Sequence, residues 1–343
     1  MSRVLLTGGT GFLGLHTAEA LRAAGHDVVA LTRGPSPALE SLGVTLAKGD
    51  VLDRPSVEAA AAGCTVLVHS AGKVSRDPDD AEMLYKLHVD GTKNVLDGGA
   101  AAGVRRAVVV STSGVVAVSA SKDAIANEET ETPLALIQRW PYYRSKLYAE
   151  KAALDRNRAD LEVVCLNPTL LLGPGDVNGS STEDVRLFLE KKIPAVPPGG
   201  LSFVDVRDVA KTVVSALTQG RPGHRYLLGA CNMTLREFFG RLERVSGVRA
   251  PFIPMPSFPA SARGAIPHSA DLARVGVQVL TDTLKRFGLR SPVDPVSLDM
   301  AQFTWYLDAS KAEDELGFAP RDAQETLVDT VRDLRERGVV WPE

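Results

Sequence analysis

Tyr142 and Lys146 stand four residues apart in the stretch Pro141-Tyr142-Tyr143-Arg144-Ser145-Lys146, which reads as the opening of a helix. At that spacing the two side chains share one helix face. An ammonium beside a phenol favours the phenolate and is expected to draw a tyrosine down from its ordinary pKa of about 10 towards acid–base range. Taken alone the pair is weak, because such spacings occur on many solvated helices. Its position is what counts: it follows the apolar run Arg106–Ser111, which continues into Thr112 and Ser113. Ser113, Tyr142 and Lys146 together can polarise a carbonyl oxygen and hand it a proton, or run the reverse.

A second device lies at the start of the chain. The residues Thr7-Gly8-Gly9-Thr10-Gly11-Phe12-Leu13-Gly14 follow the apolar run Val4–Leu6 and precede a helical pattern from Leu13 to Ala24. A strand turning through glycines into a helix binds phosphate. The glycines permit a tight turn and close approach, and the helix N-terminus presents free N–H groups with a partial positive charge. A second strand follows on schedule, so the turn is read as a dinucleotide site.

These groups need a scaffold, and the first half of the chain supplies one by alternating strands and helices. Strands are expected at Val4–Leu6, Val28–Leu31, Val44–Ala47, Val66–His69, Arg106–Ser111 and Leu161–Leu166. Helices are expected at Leu13–Ala24, Arg54–Ala62, Ala81–Gly103 and Tyr142–Asn157. Continuous apolar strands between helices imply an α/β fold, a doubly wound parallel Rossmann sheet covered on both faces. Beyond Pro168 the rhythm breaks into Pro- and Gly-rich stretches. A smaller, mainly C-terminal substrate-binding lobe is therefore expected over 168–201 and 220–302, including the proline-dense segment Pro251–Pro267. Residues 1–167 form the expected core, with 202–219 and 303–337 returning to it or packing beside it.

The second strand ends at Thr32-Arg33-Gly34, where an NAD-selective fold usually carries an acid for the ribose hydroxyls; none appears before Glu40. A guanidinium suits a 2′-phosphate. NADP is therefore the expected cofactor, with NAD as the alternative.

A formal charge of -3 offers nothing to attract nucleic acid or an anionic membrane. No run of about 20 apolar residues is present, so no spanning helix is expected, and a cytoplasmic enzyme is the default. The three cysteines, Cys64, Cys165 and Cys231, have no metal or disulfide spacing, and no metal site is expected.

With these motifs in order, the chain resembles the extended short-chain dehydrogenases/reductases over nearly its whole length. The resemblance also rests on Gly49-Asp50-Val51-Leu52-Asp53, His69-Ser70-Ala71-Gly72, Val89-Asp90-Gly91-Thr92, Asn167-Pro168-Thr169 and Phe203-Val204-Asp205-Val206-Arg207-Asp208. It is most similar to the branch of dihydroflavonol reductases, 3-beta-hydroxysteroid dehydrogenases and bacterial NAD(P)-dependent epimerase-like proteins. The resemblance implies that Gly8, Gly11 and Gly14, with Phe12 and Leu13, cradle the cofactor. Asp50 and Val51 would meet the adenine, Ala71 and Gly72 would line the ribose and pyrophosphate, and Lys73 lies just beyond. Tyr142 would be the general acid/base, Lys146 would bond the nicotinamide ribose, Ser113 would polarise the substrate oxygen, and Pro168 and Thr169 would pass beside the nicotinamide. A homodimer through the helices at 81–103 and 142–157 is implied as well.

Two departures inform the choice of reaction. The acid pair that sugar dehydratases carry after the strand-five threonine is replaced by Ser113-Gly114, and the Val-Tyr-Gly of many epimerases by Val116-Ala117-Val118. The expected reaction is NADPH-dependent reduction of a ketone or aldehyde on a small apolar or aromatic substrate, or its reverse. A nucleotide-sugar epimerase with retained NAD is the alternative, and a non-catalytic NADP-binding regulatory protein the second. Expected lining segments include Val74–Asp80, Val115–Ala120, Leu170–Leu172, Leu187–Pro198, Phe203 and Phe252–Phe258, with Arg186 and Arg263 as the arginines to watch. His88 stands where the resemblance leads one to expect Asn, and reads mainly as a structural histidine.

Overall fold

The computed structural model describes residues 1–255 and 294–341. Arg263 and most of the segment Pro251–Pro267 lie outside the described residues.

Strands β1 (Arg3–Thr7), β2 (Asp27–Thr32), β3 (Thr45–Lys48), β4 (Val66–His69), β5 (Arg106–Val110) and β6 (Glu162–Pro168) alternate with helices. The helices of this half are α1 (Phe12–Ala23), α2 (Pro37–Ser41), α3 (Arg54–Ala61), α4 (Ala81–Tyr85), α5 (Gly91–Ala101), α6 (Leu134–Ile137) and α7 (Pro141–Leu154). Every expected strand and helix of the first half is present. The later chain adds β7 (Leu170–Leu172), α8 (Glu183–Leu189), β8 (Gly200–Asp205), α9 (Val206–Ala216), β9 (Arg225–Leu228), β10 (Cys231–Thr234) and α10 (Leu235–Ser246). It closes with α11 (Pro295–Met300), α12 (Ser310–Leu316) and α13 (Ala323–Glu336).

The large sheet has seven strands in the order β3-β2-β1-β4-β5-β6-β9, and every pairing is parallel. The doubly wound Rossmann fold is thus the architecture of the chain. Strand order reverses between β1 and β4, so the crevice for a ligand opens at the carboxyl ends of these strands. Both faces are buried, which is why the strands read as unbroken apolar runs. On one face α1 packs against α9, with Leu21, Val209 and Val213 fully buried. On the other α3 packs against α5, around Val57, Val95 and Leu96.

A three-stranded sheet, β10-β8-β7, anchors the smaller lobe. The chain crosses from one sheet to the other at Pro168-Thr169, between β6 and β7. The lobe's core gathers Phe188, Phe203, Phe238 and Leu242 against Leu327 and Val331 of α13.

The later chain is divided differently from the expectation at three places. Arg225–Leu228, within the stretch assigned to the lobe, pairs with β6 as the seventh strand of the large sheet. In 202–219 the helix α9 returns to the core and Val204 of β8 reaches it, while β8 itself pairs within the small sheet. In 303–337, Ala312 and Leu316 of α12 enter the Rossmann core, but α13 packs in the lobe. The reason is which apolar face each amphipathic element meets, and local sequence is silent about that.

Candidate active site

The glycine turn has the geometry of an anion cradle. Gly8 adopts φ +74°, and a Cβ there would meet the main chain of Ser70 and Ala71 at 2.5–2.6 Å. Gly14 faces the Gly8 carbonyl so closely that no side chain fits, and Gly11 N–H donates to Gly8 O at 3.0 Å. Gly11 caps α1 without any side-chain bond, and the first helical bond is Leu15 N–H to Gly11 O. The amides of Phe12 and Leu13 are thus left for a ligand, while their side chains are buried below. Closely approaching backbone with free N–H donors at the switch point fits the pyrophosphate of a dinucleotide.

Around this cradle stand the other residues expected to hold the cofactor. Thr32 is buried at the end of β2, and the Arg33 side chain is exposed, with no ion-pair partner among the described residues. Asp50 accepts from Leu52 N–H at 2.9 Å, and Val51 is buried where α5 begins. Ala71, Gly72 and Lys73 follow β4 directly, and Lys73 Nζ pairs with Asp80 at 2.9 Å. Pro168 ends β6, and Thr169 bonds the Leu228 carbonyl through both its N–H and its hydroxyl.

The residues expected to carry the reaction lie between β5 and α7. Lys146 Nζ donates to Val110 O at 2.7 Å, tying α7 to the last residue of β5. Beyond it Ser113 opens a short helical turn, buried, against which α7 packs. Neither the Ser113 hydroxyl nor the Tyr142 hydroxyl has a hydrogen-bond partner among the described residues, so both are open to a ligand. Burial lowers the Lys146 pKa to about 8, with Glu150 working in the opposite direction. Tyr142 departs from the expectation. Burial, reinforced by Tyr143, raises its pKa well above the ordinary value. The physical reason is desolvation of the phenolate, which disfavours its charged form. The tyrosine is therefore held as a protonated phenol.

Residues that sequence reasoning missed or undervalued complete the surroundings. Glu150, 2% exposed, accepts from the Ser111 hydroxyl, accepts from Asn167 Nδ2 at 2.6 Å, and pairs with Arg225 Nε at 3.1 Å. It joins the carboxyl ends of β5 and β6 to the start of β9. Its signal was available: it lies four residues after Lys146, on the same helix face. His88 lies in a π-helical turn (Lys86–Asp90) between α4 and α5. Its Nε2 accepts from Lys73 N–H at 3.1 Å, its Nδ1 meets Ser145 Oγ at 2.8 Å, and its ring lies edge-on to Tyr142 with centroids 5.8 Å apart. His69 bonds Thr7 Oγ1 at 2.7 Å and Thr92 Oγ1 at 3.0 Å, and Thr92 donates to the His88 carbonyl. Burial holds both imidazoles neutral, with pKa values lowered to about 3.

An aromatic wall flanks Tyr142. Tyr143 lies 5.0 Å from both Tyr142 and Trp305, and Trp140 and Phe303 pack behind. Gly114 makes this possible, since a Cβ there would occupy the Tyr143 ring. Several residues expected to line the pocket are instead structural. Phe203 is fully buried against Phe238, Val115–Val118 are buried, and Arg186 is held by Glu183 and Glu190, each at 2.6 Å. No cluster of metal-ligating side chains occurs among the described residues, and no helix there is long and apolar enough to cross a membrane.

Comparison with known proteins agrees with this geometry. Residues 4–229 match the family model described as "NAD dependent epimerase/dehydratase family". A Synechocystis protein named as a dihydroflavonol 4-reductase is 32% identical over 344 residues, covering 98% of this chain and 95% of the relative. Sterol demethylase protein B of Methylococcus capsulatus is 32% identical over 343 residues, covering 98% and 99%. Among solved structures, that of gox2253 superposes with a TM-score of 0.82 at 27% identity, covering 99% of this chain and 100% of that one.

Proposed function

The chain belongs to the NAD-dependent epimerase/dehydratase family and is an NAD(P)-dependent oxidoreductase; from that premise we propose that it reduces a ketone or aldehyde of a small apolar or aromatic compound with NADPH. The observation that carries this reading is geometric: Tyr142, whose hydroxyl has no hydrogen-bond partner among the described residues, stands on the helix that Lys146 pins to the end of β5.

NADPH, when bound, supplies the hydride. In this reading Tyr142 gives its proton to the carbonyl oxygen as the alcohol forms, and Ser113 steadies that oxygen with a hydrogen bond. Lys146 has three donors and spends one on Val110 O, which leaves others for the ribose of the cofactor. The amides of Phe12 and Leu13 hold the pyrophosphate, and Arg33 takes the 2′-phosphate. Arg33 supports NADPH over NADH because it is exposed, has no ion-pair partner among the described residues and stands directly beside Thr32.

Two features support the substrate class. The wall of Tyr143 and Trp305 beside Tyr142 suits a flat apolar body. Arg186 is neutralised by two glutamates and offers no free guanidinium to a nucleotide diphosphate. The names of the two relatives point to compounds of that shape, a dihydroflavonol and a sterol.

The test is NADPH consumption across aromatic ketones, steroids and nucleotide sugars, with wild type and Tyr142→Phe. An apolar ketone should be reduced, and the variant should lose about 10²–10⁴-fold in rate. Tightly retained NAD with interconversion of a nucleotide sugar and no net cofactor turnover would sink the reading. Unchanged biological output and cofactor affinity in Tyr142→Phe, with no turnover by wild type, would instead favour a binding protein.

A further inference from the structure

We propose that His88 is a positioning residue that couples the loop Ala71-Gly72-Lys73 to the helix carrying Tyr142, an inference that rests on the reading of Tyr142 as proton donor. The link is continuous. Lys73 N–H donates to His88 Nε2 at 3.1 Å. That nitrogen therefore carries no proton, and the tautomer is fixed with hydrogen on Nδ1. Nδ1 donates to Ser145 Oγ at 2.8 Å, and Ser145 Oγ donates to the Tyr142 carbonyl at 2.8 Å. One rigid ring, 2% exposed, thus has one nitrogen on the loop expected to line the cofactor and the other on the turn that presents the phenol.

Three further features set the ring in place. Gly72 has no side chain, and a Cβ there would come within 3.2 Å of Nε2, a contact that would push the ring or the loop by a few tenths of an ångström. The π-helical turn centred on His88 displaces the helical register locally, a distortion that often accompanies function. The His88 carbonyl is held by Thr92, Thr92 by His69, and His69 by Thr7 at the end of β1. Ring and backbone of one residue are accordingly tied to the strand ends that frame the crevice.

The two nitrogens can be separated by substitution. His88→Gln keeps an amide at the reach of Nε2, His88→Asn keeps one at the reach of Nδ1, and His88→Leu keeps neither. Cofactor affinity is read without substrate, by the fluorescence of NADPH on binding, and kcat is read on the best carbonyl substrate. Leucine should weaken NADPH binding about threefold to tenfold and lower kcat about tenfold. Glutamine should recover binding but not kcat, and asparagine should recover kcat but not binding.

Wild-type constants in the leucine variant, or the same losses in all three, would overturn the coupling. Should the leucine protein not fold, the opposite splits in glutamine and asparagine still decide, because a shared loss of stability cannot produce them. Failure of wild type to turn over any carbonyl would refute the reductase reading separately. The binding contrast between glutamine and asparagine would then still decide the link to Lys73.

Discussion

Lys146 Nζ and the Val110 main-chain oxygen are 2.7 Å apart, so the helix bearing Tyr142 is anchored to the end of the strand that leads into Ser113. The bond fixes the two halves of the reaction set relative to each other before any ligand arrives. Desolvation governs the Tyr142 phenol, while the charge of Lys146 is felt by the buried imidazoles of His69 and His88.

The Lys146 pKa of about 8 sets a pH limit on activity. Below that value the ammonium keeps its charge, and above it the charge is lost. The rate of carbonyl reduction should be flat from about pH 6.5 to 7.5 and should fall above pH 8. A profile of kcat/KM against pH checks this, and a rate that climbs steadily to pH 10 would contradict it.

Arg33 should decide between the two nicotinamide cofactors. Removing a charge-assisted bond to a phosphate costs about 1.5–3 kcal/mol, or roughly tenfold to a hundredfold in affinity. Arg33→Ala should weaken NADPH by that amount and leave NADH within about twofold. Binding isotherms for both cofactors provide the measurement, and equal losses would rule out a 2′-phosphate contact.

Gly114→Ala should disturb the aromatic wall, because the added Cβ would occupy the Tyr143 ring. Overpacking of this kind costs about 1–3 kcal/mol. The variant should unfold at lower urea and show a raised KM for a bulky aromatic ketone. Wild-type stability together with wild-type KM would mean that the ring has free space to move.

Acid should destabilise the protein earlier than its carboxylates alone would dictate. His69 and His88 have folded pKa values near 3, below the ordinary 6.5, so between these limits the unfolded chain binds protons that the native state refuses. Stability contributed by the neutral rings is complete above pH 6.5 and is lost as pH falls towards 3. The slope is about 1.4 kcal/mol per pH unit for each imidazole once the unfolded ring is charged. Urea unfolding at pH 7, 6 and 5 measures it, and His88→Asn should remove one imidazole's share of the slope.

The sequence by itself determined the Rossmann half of the molecule. Unbroken apolar strands spaced by amphipathic helices leave few ways to bury both faces of a sheet, and a glycine turn at the first strand end has one steric purpose. The placement of Tyr142 and Lys146 on one helix, and of Ser113 just past the end of β5, was legible for a similar reason, in helical spacing and strand order. Tertiary structure decided what depends on distant partners. Arg225–Leu228 became the seventh strand because β6 offered an open edge. Phe203 and α13 went to the lobe because their apolar faces meet Phe238 there. The state of Tyr142 turned on burial, and His88 and Glu150 gained their places from residues far along the chain: Lys73 and Ser145 for the one, Ser111, Asn167 and Arg225 for the other. Local periodicity records which face of an element is apolar. The partner that face or polar group meets is set only when the whole chain packs.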